Sequence, residues 1–177
     1  MIRDEELSRL TKYAQGMGVK VSFSGQKSGD AGGWLLDGSE ILIYKKHQSS
    51  KTETVISLIH EIAHHLWFIH EKNRQPDLKF EDAIHRQNLF EDEIYETPAP
   101  KTLRKKIYDV EVAGTQYWET IYKETNLKFP KWKLYASMEF DTWMYEVYYE
   151  TGEFPNRKEK IEKNKEINNK HKNVKYE

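Results

Sequence analysis

The stretch SLIHEIAHHLWF, residues 57–68, places three histidines and a glutamate inside an apolar pattern. Upstream, Ser50 and Glu53 have the spacing of a capping box, which predicts the start of a helix at this point. Apolar residues then recur at three- and four-residue intervals from Val55 to Trp67, as on the buried face of a helix. Imidazole and carboxylate groups are costly to bury alone, so we expect this helix to bind a metal ion.

Residues 60–64 read H-E-x-x-H. His60 and His64 lie one helical turn apart on the same face, so both can bind one Zn²⁺, with Glu61 beside the water on that metal. His65 is turned by about 100° around the helix and is predicted to be a packing or supporting residue. The chain contains no cysteine, which excludes thiolate zinc sites. The alternative interpretation is a structural pair of histidines without a metal.

A catalytic zinc ion usually has three protein ligands and one open position, so a third ligand must come from elsewhere in the chain. Glu111 lies in the apolar stripe of a predicted helix, between Val110 and Gly114, where a lone carboxylate would be costly. We therefore expect Glu111 to be the third ligand. The acids that remain as alternatives are Asp109, Glu139, Asp141, Glu91 and Glu93.

A small sheet is predicted upstream of the H-E-x-x-H helix. Residues 4–17 have helical spacing, and VKVSF (19–23) alternates apolar and polar residues as a half-buried strand does. In WLLDGSEILIY, Asp37 and Gly38 separate two apolar runs and predict a tight hairpin turn. These segments predict an antiparallel sheet of about three strands.

Downstream, residues 103–125 and 131–150 are predicted to form two further long helices. The fold class is therefore α+β, with a small antiparallel β-sheet packed against a helical core. We expect one domain over residues 1–152, with a charged insertion at about 71–101 and a charged C-terminal tail over 153–177. The insertion is interpreted as a solvated excursion, or alternatively as a lid or substrate-specific element.

The net charge and the hydropathy of the chain limit the classes of partner that it is expected to bind. The formal net charge is −1, which makes nucleic acid an unlikely partner for the chain as a whole. Residues 156–177 hold eight Lys or Arg against four Glu, so a nucleic-acid or partner-binding role of this tail is the alternative to a solvated segment. The N-terminus lacks an apolar signal core and no apolar run is long enough to span a membrane. A cytoplasmic location without membrane contact is expected.

The chain resembles the ImmA/IrrE-type metallopeptidases, which occur on phages and mobile elements. The resemblance rests on the hairpin GGWLLDGSEILIY, the segment TVISLIHEIAHHL and the acid-bearing helix VEVAGTQYW, over residues 19–125. It implies a zincin fold and a zinc-dependent peptidase that cleaves a specific protein, such as a transcriptional repressor. No sensor domain is evident in the sequence, so a regulatory partner would be a separate protein. The alternative is a catalytically inactive relative that binds other proteins and keeps zinc for structure.

Overall fold

The computed structural model describes residues 2–25, 32–34, 39–44, 50–74 and 99–176. The chain divides into two compact units. The first comprises Met1–Ala83 with Gln116–Lys128, and the second comprises Ile84–Thr115 with Phe129–Glu177. Each unit therefore draws on two separate stretches of sequence.

The first unit combines a small sheet with helices on it. Its described elements in chain order are α1 (Ile2–Gly16), β1 (Lys20–Ser24), β2 (Gly32–Trp34), β3 (Glu40–Tyr44), α2 (Lys51–Arg74) and α4 (Trp118–Glu124). The intervening helix, α3 (Lys101–Thr115), belongs to the second unit. Both α1 and α2 pack against strands, and α2 also contacts α1 and α4. In β3, Ile41 and Ile43 are fully buried while their neighbours are partly exposed, because successive side chains of a strand point to opposite faces of the sheet.

The prediction of an antiparallel sheet is wrong for one of the two strand pairs. The strand order is β1-β3-β2. The β2–β3 pair is antiparallel, but β1 pairs with β3 in parallel, with Val21 opposite Ile41. A parallel pair needs a long crossover connection, and the chain between Ser24 and Glu40 is long enough to supply one. The turn predicted at Asp37 and Gly38 lies outside the described residues.

A buried carboxylate joins α1 to the segment that follows α4. Glu6 is 2% exposed and its Oε1 accepts a hydrogen bond from the backbone N–H of Lys128 at 2.7 Å. Next to it, Arg9 donates to the carbonyl of Asn126 and Tyr13 donates to Glu124, each at 2.6 Å. These bonds fix residues 124–128 to α1, although the two segments are far apart in sequence.

The second unit contains α3 (Lys101–Thr115), α5 (Lys131–Thr151) and α6 (Arg157–Lys172). The predicted helix over 103–125 is divided, because α3 ends at Thr115 and α4 begins at Trp118. Thr115 donates its hydroxyl to the carbonyl of Val112 at 2.7 Å, a local bond that competes with the helical ladder. Gly114 in the same turn has low helix propensity.

The charged C-terminal segment contains a well-capped helix. The Asn156 side chain accepts hydrogen bonds from the backbone N–H groups of Lys158 and Glu159, and the Glu159 carboxylate accepts one from the Asn156 backbone N–H. Ile167 and His171 are buried where α6 packs on α5. Within the predicted insertion at 71–101, α2 continues to Arg74, and residues 75–98 lie outside the described residues.

Among the described residues, none of the helices combines the length and the apolar character needed to cross a bilayer.

Candidate metal centre

The helix α2 that carries the H-E-x-x-H sequence begins as its local sequence predicts. The side chain of Ser50 accepts a hydrogen bond from the backbone N–H of Glu53 at 3.2 Å, which is the first half of the predicted capping box. Eleven of its residues are buried, and they include Glu61, His64 and His65 among apolar neighbours. Glu61 and His64 are thus inside the packed face of α2, whereas His60 is partly exposed.

His60 and His64 face each other across one helical turn. Their Nε2 atoms are 2.9 Å apart and their rings meet edge to face at a centroid distance of 4.5 Å. Two nitrogens that each lie about 2.0–2.1 Å from one tetrahedral zinc ion are about 3.3 Å apart. The observed separation therefore differs from a metal-binding geometry by only a few tenths of an ångström.

The surroundings hold both rings in place. His64 is 3% exposed. The ring of Trp118, the first residue of α4, contacts His60 edge to face with a centroid distance of 5.7 Å. Trp118 is itself 2% exposed, so its packed side chain restricts the movement of the His60 imidazole. No local sequence pattern indicates that Trp118 contacts His60.

Glu61 follows His60 directly and is 8% exposed. A carboxylate at this depth is costly unless it has a function or a partner, and Glu61 does form an interaction in the structure. Its position beside a potential metal ligand is that of the proton acceptor in H-E-x-x-H sites.

Glu111 lies on α3, where the buried residues are Ile107, Val110, Glu111 and Gly114. This set matches the predicted apolar stripe, and Glu111 is its acidic member, with 7% exposure. Among the described residues, His60, His64 and Glu111 are candidate ligands for a metal ion, each offering one nitrogen or oxygen atom. Two imidazoles and one carboxylate suit zinc and other first-row transition metals.

Two of the alternative acids are engaged elsewhere. Asp109 is more than half exposed and pairs with Lys105 one turn away. Glu139 lies 2.6 Å from the Lys170 ammonium and 2.7 Å from His171 Nε2. Asp141 is partly buried and has an interaction of its own, and Glu91 and Glu93 lie outside the described residues.

The neighbouring histidine is buried, and a packing or supporting role remains the prediction for it. His65 is 8% exposed, and its burial lowers the pKa of the imidazole, although a backbone hydrogen bond at Met17 opposes this shift. A lowered pKa keeps the ring neutral in the apolar layer between α2 and the end of α1.

Tyr117, the residue that precedes α4, lies beside the C-terminal part of α2. Its ring is 6.4 Å from that of His70, which is six residues, or about 9 Å of helix, beyond His64. Burial, together with the charge of Glu71, raises the pKa of Tyr117 and keeps the phenol protonated.

Comparison with known proteins gave no relatives: no family model, no curated protein and no solved structure matches the chain.

Proposed function

We propose that the protein is a zinc-dependent metallopeptidase in which His60, His64 and Glu111 bind the metal and Glu61 is the catalytic base. The observation that carries the proposal is the pair of Nε2 atoms 2.9 Å apart, one on the buried His64 and one on the partly buried His60. A surface pair of histidines would be free to separate. This pair is held by the packing of α2 and by Trp118, so the donors are already arranged for one ion.

The type and number of donors support a catalytic rather than a structural metal. Structural zinc sites are usually closed by four protein ligands, whereas catalytic sites use three, and two histidines with a glutamate are one of the known catalytic sets. When bound, the ion would supply a Lewis acid that polarises the substrate carbonyl and makes a water molecule more acidic.

Glu61 has the position required of a general base. It is adjacent to His60 in sequence and lies on the same buried segment of α2. In the proposed reaction a Glu61 oxygen accepts the proton of the attacking water and then delivers it to the nitrogen of the leaving amine. A purely structural site would have no need for a carboxylate at this position.

The proposed substrate is a protein that is cut at a specific place, such as a transcriptional repressor, with control by a separate regulatory protein. This assignment rests on the resemblance of GGWLLDGSEILIY, TVISLIHEIAHHL and VEVAGTQYW to ImmA/IrrE-type sequences. In the described part of the sheet, β1 and β2 are the outer strands. An extended peptide could pair with such an outer strand, where backbone hydrogen bonds supply affinity.

The test compares wild type with Glu61→Gln after zinc loading. Both proteins are incubated with a proteome extract and with candidate repressors, and new peptide termini are identified by mass spectrometry. We expect discrete cleavage by wild type and none by Glu61→Gln, with equal zinc content. Glu53→Gln, an exposed change on the same helix, is the matched control and should cut normally.

Equal cleavage by Glu61→Gln would refute the assigned base. Zinc-loaded wild type that cuts nothing would favour the alternative, a zincin-like binding protein without catalytic activity.

A further inference from the structure

Lysines are concentrated at one end of the second unit. Residues 129–138 and 167–176 contain no Asp or Glu. Together these two segments hold five lysines, which we call the lysine patch: Lys131, Lys133, Lys170, Lys172 and Lys175. In a chain whose net charge is −1, this is a local excess of positive charge.

The packing of α5 against α6 brings the two segments together. The Nζ atoms of Lys133 and Lys172 lie 5.6 Å and 5.3 Å from the ring centroid of Trp132, although these two lysines are far apart in sequence. Lys170 contacts Glu139, the first acid after the lysine-bearing turn of α5. The Glu139 carboxylate thus offsets part of the positive charge at Lys170.

Aromatic rings lie among these lysines. Trp132 is partly exposed. One turn further along α5, Tyr135 stacks on Tyr176, with ring centroids 4.4 Å apart and an interplanar angle of 13°. Tyr176 also hydrogen-bonds with His171, which anchors the C-terminal segment against α6. The patch therefore combines cationic side chains with partly exposed aromatic rings on a helical support.

We propose that the lysine patch, with Trp132, binds single-stranded nucleic acid. Ammonium groups contact successive phosphates, and an aromatic face next to them accepts a stacked base, which is the usual combination in single-strand binding without strict sequence preference. A duplex does not expose its base faces for stacking. An anionic membrane would favour a continuous apolar face, and Val174 is the one strongly exposed large aliphatic side chain among the described residues of segments 129–138 and 167–176.

The binding test uses fluorescence anisotropy with fluorescein-labelled oligo(dT) and oligo(U) of about 12 nucleotides, at salt concentrations from about 50 to 200 mM. Wild type is compared with the double variant Lys133→Gln, Lys172→Gln. The matched control is Lys158→Gln, Lys165→Gln, which removes two exposed lysines from α6 outside the patch and changes the net charge equally. Thermal unfolding followed by circular dichroism checks that each variant is folded.

Wild type should bind, and the patch variant should bind about tenfold more weakly, whereas the control should change affinity less than about twofold. Because each phosphate contact contributes about 0.7 to the slope of log affinity against log salt, the patch variant should lose about 1.4 of that slope. Trp132→Leu should weaken binding about tenfold by removing the stacking face, and Trp132→Phe should restore most of it.

Several results would overturn the proposal. These are no binding by wild type at about 50 mM salt, equal loss in the control variant, and unchanged binding by a folded Trp132→Leu protein. Tighter binding to heparin or to vesicles of anionic phospholipid than to the oligonucleotides would also contradict it. Such a result would assign the patch to another class of partner.

Discussion

Removal of one imidazole of the His60–His64 pair should abolish the stabilisation of the protein by zinc. The two Nε2 atoms are 2.9 Å apart, and zinc requires about 3.3 Å, so each ring has to move by only about 0.2 Å on binding. With so little rearrangement, most of the free energy of zinc binding should be added to the free energy of unfolding. At a free zinc concentration about 100 times the dissociation constant, zinc binding raises the free energy of unfolding by about 2.7 kcal/mol.

For a chain of this length, about 2.7 kcal/mol corresponds to a rise in melting temperature of about 5–10 °C. The measurement is thermal unfolding with zinc and with a chelator, so that each variant is compared with its own metal-free form. His64→Ala should lose the zinc-dependent rise, whereas His70→Ala, which changes an exposed histidine of the same helix, should keep it. No rise in wild type, or an equal rise in His64→Ala, would refute the reasoning.

The remaining predictions concern the third zinc ligand, the contact of Glu139 with Lys170 and His171, and one buried residue in each unit. Glu111→Gln should lose most of the zinc-dependent rise in melting temperature, while Asp109→Asn on the same helix keeps it; the opposite result would transfer the ligand role to Asp109. Partial burial raises the pKa of Glu139, but its hydrogen bonds with Lys170 and His171 lower it more, so the net shift is downward. Glu139 should therefore contribute about 1 kcal/mol to the free energy of unfolding above about pH 4.5, and this contribution should be lost as the pH falls below that value. Urea unfolding of wild type and Glu139→Gln at pH 7 and about pH 3 measures this, and a gap that widens in acid would contradict it. Glu6→Ala should cost about 2–3 kcal/mol because the Lys128 N–H loses its acceptor, and Ile167→Ala should cost about 2–5 kcal/mol. Losses below about 0.5 kcal/mol in chemical denaturation would contradict these two contacts.

The parts of the fold that depend on local sequence could be predicted. The start of α2 follows from Ser50 and Glu53, and its buried face follows from the helical period of its apolar residues. His60 and His64 face each other because they are four residues apart in one helix. Glu111 is buried because it lies in the apolar stripe of another helix, α3. These features needed no knowledge of how distant segments pack.

Features that depend on distant segments could not be predicted. Alternation in VKVSF predicts a strand but neither its neighbour nor the observed burial, because Val21, Ser22 and Phe23 are all partly buried. The parallel pairing of β1 with β3 therefore does not follow from this pattern. The contact of Trp118 with His60 joins α4 to α2, and the pairing of Glu139 with His171 joins α5 to α6. In each case the partner is chosen by tertiary packing, and no local pattern specifies it.

A crystal structure of the zinc-loaded protein, with anomalous diffraction recorded at the zinc absorption edge, tests the central claim most directly. We expect one strong anomalous peak, about 2.0–2.2 Å from His60 Nε2, His64 Nε2 and a carboxylate oxygen of Glu111, with Glu61 beside the open coordination position. A structure with no peak at the histidine pair, or with a fourth protein ligand that closes the coordination sphere, would contradict it.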